Sequence, residues 1–167
     1  MSNLNQPLIK NGAVIEDQWQ LLREVPEDGL PEGAVIVPLA YWQAHRNELR
    51  ARAPIGVWLS SDQPPAALAE DLAHLAVVAI DFPVFTDGRG FSYGRTLREH
   101  FQYQGEIRAV GQFLRDQLHY LRRCGFDAFA LETADPHAAL SSLHDFSDGY
   151  QASIDQPLPL FRRRAFI

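Results

Sequence analysis

Five short apolar runs recur along this chain at a spacing of about 20 to 30 residues, and that rhythm restricts the fold more than any other feature. They are Ala34–Val37, Ile55–Leu59, Ala76–Ile80, Glu106–Val110 and Ala128–Leu131. Each is too short for a buried helix, and all but Glu106–Val110 are apolar on both faces, as a strand covered on both sides must be. Between them lie segments with helical spacing. Leu39, Trp42, Arg46 and Leu49 mark the first, and Leu68, Leu72 and Leu75 the second. Tyr93, Leu97 and Phe101 predict a helix over 92–101, and Leu114, Leu118 and Leu121 the fourth. A fifth opens at Asp135-Pro136, a cap followed by a first-turn proline, and runs through Leu140 and Leu143 towards Phe146. Ser60, Ser61 or Asp62 is expected to cap the second helix ahead of Pro64-Pro65.

Strands that alternate with helices at this length pair in parallel through crossovers. The expected fold is therefore α/β: about five βα units in a mostly parallel sheet. An open doubly wound sheet is the first expectation. A partial barrel, alone or completed by a second copy in a homodimer, is the alternative, since a full eight-unit barrel needs roughly 250 residues. Asn11-Gly12 between Leu8–Lys10 and Ala13–Ile15 predicts an N-terminal β-hairpin, which Trp19, Leu21 and Leu22 continue or underlie. The 167 residues read as one domain, with residues 1–7 a loose leader and 154–167 a C-terminal tail carrying Arg162, Arg163 and Arg164.

Composition removes several function classes. The net charge of −6 argues against a general nucleic-acid binder. The N-terminus lacks a basic region followed by an apolar run, and no apolar stretch approaches the roughly 20 residues that cross a bilayer. The expectation is a cytoplasmic protein. One cysteine, Cys124, permits neither an internal disulfide nor a cysteine-only metal site, and its place near a helix end marks it as buried and structural. The six histidines are scattered over helices without metal spacing, so no metal is expected.

Of the 15 cationic side chains only Lys10 is lysine, which leaves 14 arginines. Seven of them lie between Asp87 and Arg123 against four acids (Asp87, Glu99, Glu106, Asp116), a local excess of three in an acidic chain. Ligands of parallel sheets bind at the carboxyl ends of the strands. That rule points to Ser60–Asp62, Asp81, Asp87–Ser92, Gly111–Arg115 and Glu132–Asp135. The loop Asp87-Gly88-Arg89-Gly90-Phe91-Ser92 has two glycines for close backbone approach and leads into a helix start, where free N–H groups favour an anion. Gly88, Arg89, Gly90, Ser92 and Arg115 are the candidate binding residues for an anionic small molecule. Asp81, Asp87 and Asp116 are the candidate catalytic carboxylates. Neither the P-loop nor the dinucleotide fingerprint is present, because Tyr93 stands where the third glycine belongs. Arg108, inside a strand, shares a face with Glu106 and is expected to pair with it.

A longer pattern runs through the same stretch: Phe82-Pro83-Val84-Phe85, Asp87–Ser92, Leu97-Arg98, Gly105–Gly111, Asp116-Gln117 and Arg123–Asp127. It resembles a bacterial family of unknown function whose members are labelled oxidoreductases of sulfite reduction and are encoded near assimilatory sulfite reductase. The resemblance implies an accessory or electron-transfer role, with sulfite reductase as partner. The alternative read from the residues is a small enzyme or sensor that binds a sulfate-, sulfite- or phosphate-bearing metabolite at Asp87–Ser92. Side chains alone do not carry multi-electron reduction. A flavin, held by loops without a short motif, is the cofactor compatible with the redox label.

Overall fold

The computed structural model describes residues 6–133 and 135–144. The 154–167 tail, most of the expected leader and Phe146 lie outside the described residues. The protein is mixed α/β, built on one eight-stranded, partly parallel sheet curled as a half barrel. In chain order the strands are β1 (Pro7–Lys10), β2 (Ala13–Glu16), β3 (Trp19–Leu21), β4 (Ala34–Pro38), β5 (Ile55–Leu59), β6 (Val77–Phe82), β7 (Glu106–Gly111) and β8 (Ala128–Phe129). Their spatial order is β2-β1-β8-β7-β6-β5-β4-β3. The six strands from β3 to β8 are parallel, and β1 and β2 add antiparallel pairings beside β8. β1 and β2 flank Asn11 and Gly12, both at positive φ.

This order corrects the first expectation. A doubly wound sheet reverses its strand order part-way and binds ligand at the reversal. Here the parallel strands follow one another from 3 to 8 without a reversal. Crossovers of one hand that always step the same way place their helices on one face, and the sheet curls with that face outward. A second correction concerns Trp19–Leu21. This segment does not extend the pairing of β1 and β2; it forms the far edge of the sheet, parallel to β4. Its register sets Trp19 beside Ala34 and Leu21 beside Ile36, so both side chains join the concave core.

The curl also follows from chain length. β2 and β3 are the two edges of the sheet yet are separated only by Asp17 and Gln18. Three peptide steps span at most about 11 Å. The edges of a flat eight-stranded sheet would stand about 33 Å apart, seven spacings of ~4.8 Å. The two-residue link is possible only because the sheet bends round on itself.

The outer layer holds α1 (Leu39–Ala44), α2 (Arg46–Leu49), α3 (Arg89–Arg95), α4 (Leu118–Arg123) and α5 (Pro136–Ser141). α3 begins three residues earlier than its apolar spacing predicts and passes into a wider π-type turn at Thr96–His100. The segment after β5 is two 3-10 turns, Pro65–Leu68 and Leu72–His74, rather than an α-helix. No side chain caps the first of them, although Leu68, Leu72 and Leu75 are buried as the spacing requires. Leu114 is exposed and precedes a 3-10 turn at Arg115–Gln117, while Leu118 and Leu121 are buried. Asp135 does cap α5, its Oδ1 accepting from the Ala138 amide.

The main core packs the outer face of β4 to β8 against these helices, with Trp42, Phe82, Phe126 and Phe129 among its largest members. A smaller core of Leu21, Ile36, Val77, Ala79 and Val110 fills the concave side. Among the described residues no helix is long and apolar enough to cross a membrane.

Candidate functional site at the mouth of the curled sheet

The concave face carries charge at its centre. Arg108 projects inward from β7 and is 1% exposed. Its Nε donates to Glu106 Oε1 at 2.7 Å, as the two-residue spacing on one strand face predicts. Its Nη1 donates to Asp17 Oδ2 at 2.8 Å, 91 residues away in sequence. Lys10 closes on the other oxygen of Glu106 at 2.7 Å. Asp17 therefore sits at the bend between the two sheet edges, pinned from β7, and its Oδ1 accepts from the Trp19 amide at 3.0 Å. Buried charges are tolerated only when paired and hydrogen-bonded in this way.

Above this layer, at the carboxyl ends of the parallel strands, lies a cavity of about 540 Å³. Asp17 and Val110 line it together with Arg23, Gln112, Glu132 and Thr133. The volume falls within the range of small-molecule sites. Arg23 leaves the end of β3 and reaches across the mouth to Asp81 on β6, donating from Nη2 to Oδ1 at 2.9 Å. Its guanidinium lies 5.0 Å from the Trp58 ring centre, and the Trp58 indole donates to the Leu22 carbonyl at 2.9 Å. Gly111, at φ +94°, lets β7 pass beside Asp81, because a Cβ there would stand 2.6 Å from Asp81 Oδ1.

Of the candidate binding and catalytic residues, Asp81 alone belongs to this mouth, through Arg23; Gly111, Gln112, Glu132 and Thr133, from two of the loops that the carboxyl-end rule pointed to, line the cavity. The Asp87–Ser92 loop lies outside it. Arg89 donates from Nε to Asp87 Oδ1 at 3.0 Å and from Nη2 to Asp87 Oδ2 at 2.7 Å, and Nη2 also reaches Ser61 Oγ at 2.9 Å. The Arg89 and Ser61 hydrogen bonds hold the Asp87 carboxyl well below its ordinary range. Gly90 is buried, and a Cβ on it would meet the Phe82 ring at 2.7 Å, so that glycine serves packing. Gly88 is exposed and precedes α3, and the Ser92 hydroxyl donates to the Arg89 carbonyl. Arg115 donates to Ser142 Oγ at 2.6 Å, and Asp116 is exposed. Both lie in the 3-10 turn ahead of α4, and neither lines the cavity.

Sequence reasoning missed Asp17 and Arg23. Their signal was an acid and an arginine flanking Trp19–Leu21, which becomes readable only once that segment is seen as the first parallel strand. Cys124 is buried, and burial pushes its thiol pKa up, against a reactive role. Among the described residues no group of three or more potential ligands could hold a metal.

Fold and cavity together define a small α/β protein with a ligand-sized mouth at the carboxyl ends of its parallel strands. Residues 56–161 match the model of a family described as bacterial protein of unknown function (DUF934). That is more than half of the chain, and the protein belongs to this family. No curated protein and no solved structure matches it.

Proposed function

We propose that the protein is a small-molecule-binding α/β protein, an enzyme or a sensor, whose ligand is a polar metabolite seated in the mouth cavity. One observation carries the reading: a cavity of about 540 Å³ at the carboxyl ends of parallel strands, walled by charged side chains drawn from both edges of the sheet. Parallel α/β sheets place their chemistry at this end. The cavity is a better-placed site than the Asp87–Ser92 loop, where the arginine charge is already met by Asp87. The test is a panel of polar metabolites screened by thermal shift, with hits followed on the Trp58 indole N–H resonance. A true ligand raises Tm and moves that resonance. Hits that move only resonances of residues 87–92 would return the site to the loop and sink the reading.

A second reading concerns pathway. The family resemblance suggests an accessory of sulfite reduction that acts by protein contact. The exposed side chains of Val84, Phe85, Leu114 and Tyr120 favour it, since they come from the loops after β6 and β7 and from α4. The first two loops are tied where the Gln117 amide donates to the Phe85 carbonyl at 3.0 Å. Apolar groups collected on one rim mark contact surfaces. Sulfite turnover by the cognate reductase, with and without this protein, decides it. Acceleration that Phe85→Ser removes supports the role, and unchanged turnover rejects it. The absorbance spectrum of the purified protein settles the flavin question in the same preparation.

A further inference from the structure

Arg23 is held in a manner that solvation alone does not require. It is 48% exposed on its side chain, yet Asp81 grips one nitrogen and Trp58 lies beneath its plane. Trp58 is itself fixed by its bond to the Leu22 carbonyl. Groups from β3, β5 and β6 thus aim one guanidinium over the cavity. Its Nε and Nη1 have no acceptor among the described residues. Below the cavity floor, Arg108 Nη2 is buried and also lacks an acceptor among the described residues. A buried donor without a partner calls for a missing acceptor.

The ion-paired charges of the mouth cancel, Lys10, Arg23 and Arg108 facing Asp17, Asp81 and Glu106, three against three. Glu132 also lines the cavity. Both oxygens of Asp17 are bonded, and so are both oxygens of Glu106. The open donor capacity is concentrated on arginine, whose planar fork matches a planar or tetrahedral oxyanion.

We infer that the ligand of the mouth cavity carries an oxyanion group, a carboxylate, sulfate or phosphate, and that Arg23 is its anchoring residue. The inference rests on the cavity reading above and adds the chemical class of the ligand. Arg23 supplies two free N–H directions, and Trp58 and Asp81 keep the side chain from collapsing into solvent. Asp17, already fixed by Arg108, and Glu132 also line the cavity and disfavour a second anionic group close by.

The experiment titrates inorganic phosphate, sulfate and malonate into the full-length protein at constant ionic strength with chloride as the reference, following the Trp58 indole N–H by NMR. At least one oxyanion is expected to give a saturable shift that chloride does not. Arg23→Gln, checked for an unchanged thermal midpoint, is expected to weaken that binding at least tenfold. Arg89→Gln is expected to leave it within twofold. The inference is overturned if no oxyanion shifts Trp58 saturably, if Arg23→Gln binds as the parent does, or if Arg89→Gln is the variant that loses binding. Uncharged or cationic metabolites that move Trp58 in the parent and in Arg23→Gln alike would overturn the oxyanion class while keeping the cavity. Silence of Trp58 towards every compound, charged or not, would remove both.

Discussion

Two arginine-bearing regions of this protein are built on opposite plans. In the Asp87–Asp127 stretch Arg89 and Arg98 find partners within the stretch itself. Arg89 is closed by Asp87 two residues away. Arg98 is closed by the carbonyls of Tyr103, Gly105 and Gly125, with Asp127 at 3.4 Å. At the mouth the partners come from across the chain: Arg23 meets Asp81 58 residues on, and Arg108 meets Asp17 91 residues back. The first plan makes a dense cluster in sequence and a self-satisfied clasp in space. The second draws on charges far apart in sequence, Arg108 of the same stretch among them, and gathers them around a cavity. A cluster of charged residues along a chain is therefore weak evidence for a site, because neighbours neutralise one another first.

The contrast is tested most strongly at Arg108. Removing it leaves the carboxylates of Asp17 and Glu106 buried, with only Lys10 left to face Glu106. Breaking a buried pair by deleting one partner costs about 3–5 kcal/mol. Arg108→Ala is expected to lower stability by that order in urea unfolding, or to prevent folding. The double variant Arg108→Met with Asp17→Asn removes a cation and an anion together, and is expected to recover part of the loss. Equal stability of Arg108→Ala and the parent would show that the mouth network is solvated in solution, and the distinction between the two regions would fall.

The glycines of the arginine-rich stretch give the next largest effect. A Cβ on Gly94 would collide with the Phe126 ring and with the Cys124 carbonyl, and one on Gly90 would press on Phe82. Overfilling of this kind costs about 1–3 kcal/mol. Gly94→Ala and Gly90→Ala are expected to destabilise by that amount, Gly94→Ala more, since backbone blocks its Cβ. Gly88, which meets only the Phe91 ring at 3.9 Å and has φ of −82°, tolerates alanine. If Gly90→Ala leaves stability intact but changes oxyanion binding, the loop is a site after all.

These cases show which parts of the molecule could be read from the sequence. The five principal strands were legible because burial on both faces writes an apolar run that needs no partner to be seen. Direction followed from the length of the connections. Strand order did not, because a stepwise and a doubly wound sheet share the same local patterns. Trp19–Leu21 stayed hidden for a related reason: three residues carry too little periodicity, and its role as an edge depends on β4. At the site, the rule for carboxyl ends located Asp81 and the segments Gly111–Arg115 and Glu132–Asp135. The loop of Asp87–Ser92 drew attention through two glycines, of which Gly90 admits Phe82, as Gly94 further on admits Phe126, while Gly88 has no close neighbour. Asp17 and Arg23 had no local signature, since their meaning lies in partners 91 and 58 residues away.

The smallest expected effect separates the two regions by pH. The Arg89 side chain is exposed, so at neutral pH Arg89→Gln should barely change the urea midpoint, as exposed pairs contribute little. Acid removes that small contribution. The folded Asp87 pKa lies below its ordinary value of 3.8, held there first by the Arg89 hydrogen bonds and then by Ser61. A carboxylate lowered by folding adds stability that is complete above the unfolded pKa and disappears as pH falls through the folded one. The parent should therefore lose stability more steeply than Arg89→Gln as pH is taken below about 4, the usual carboxylate range, and the two curves should converge at the acid end. Asp127 behaves in the opposite sense. Burial raises its pKa above 3.8, so its contribution improves as it protonates and declines as pH rises through the folded value. Parallel curves for the parent and Arg89→Gln below pH 4 would mean that Asp87 is not bound to Arg89 in solution, leaving that arginine free for a ligand and erasing the difference between the loop and the mouth.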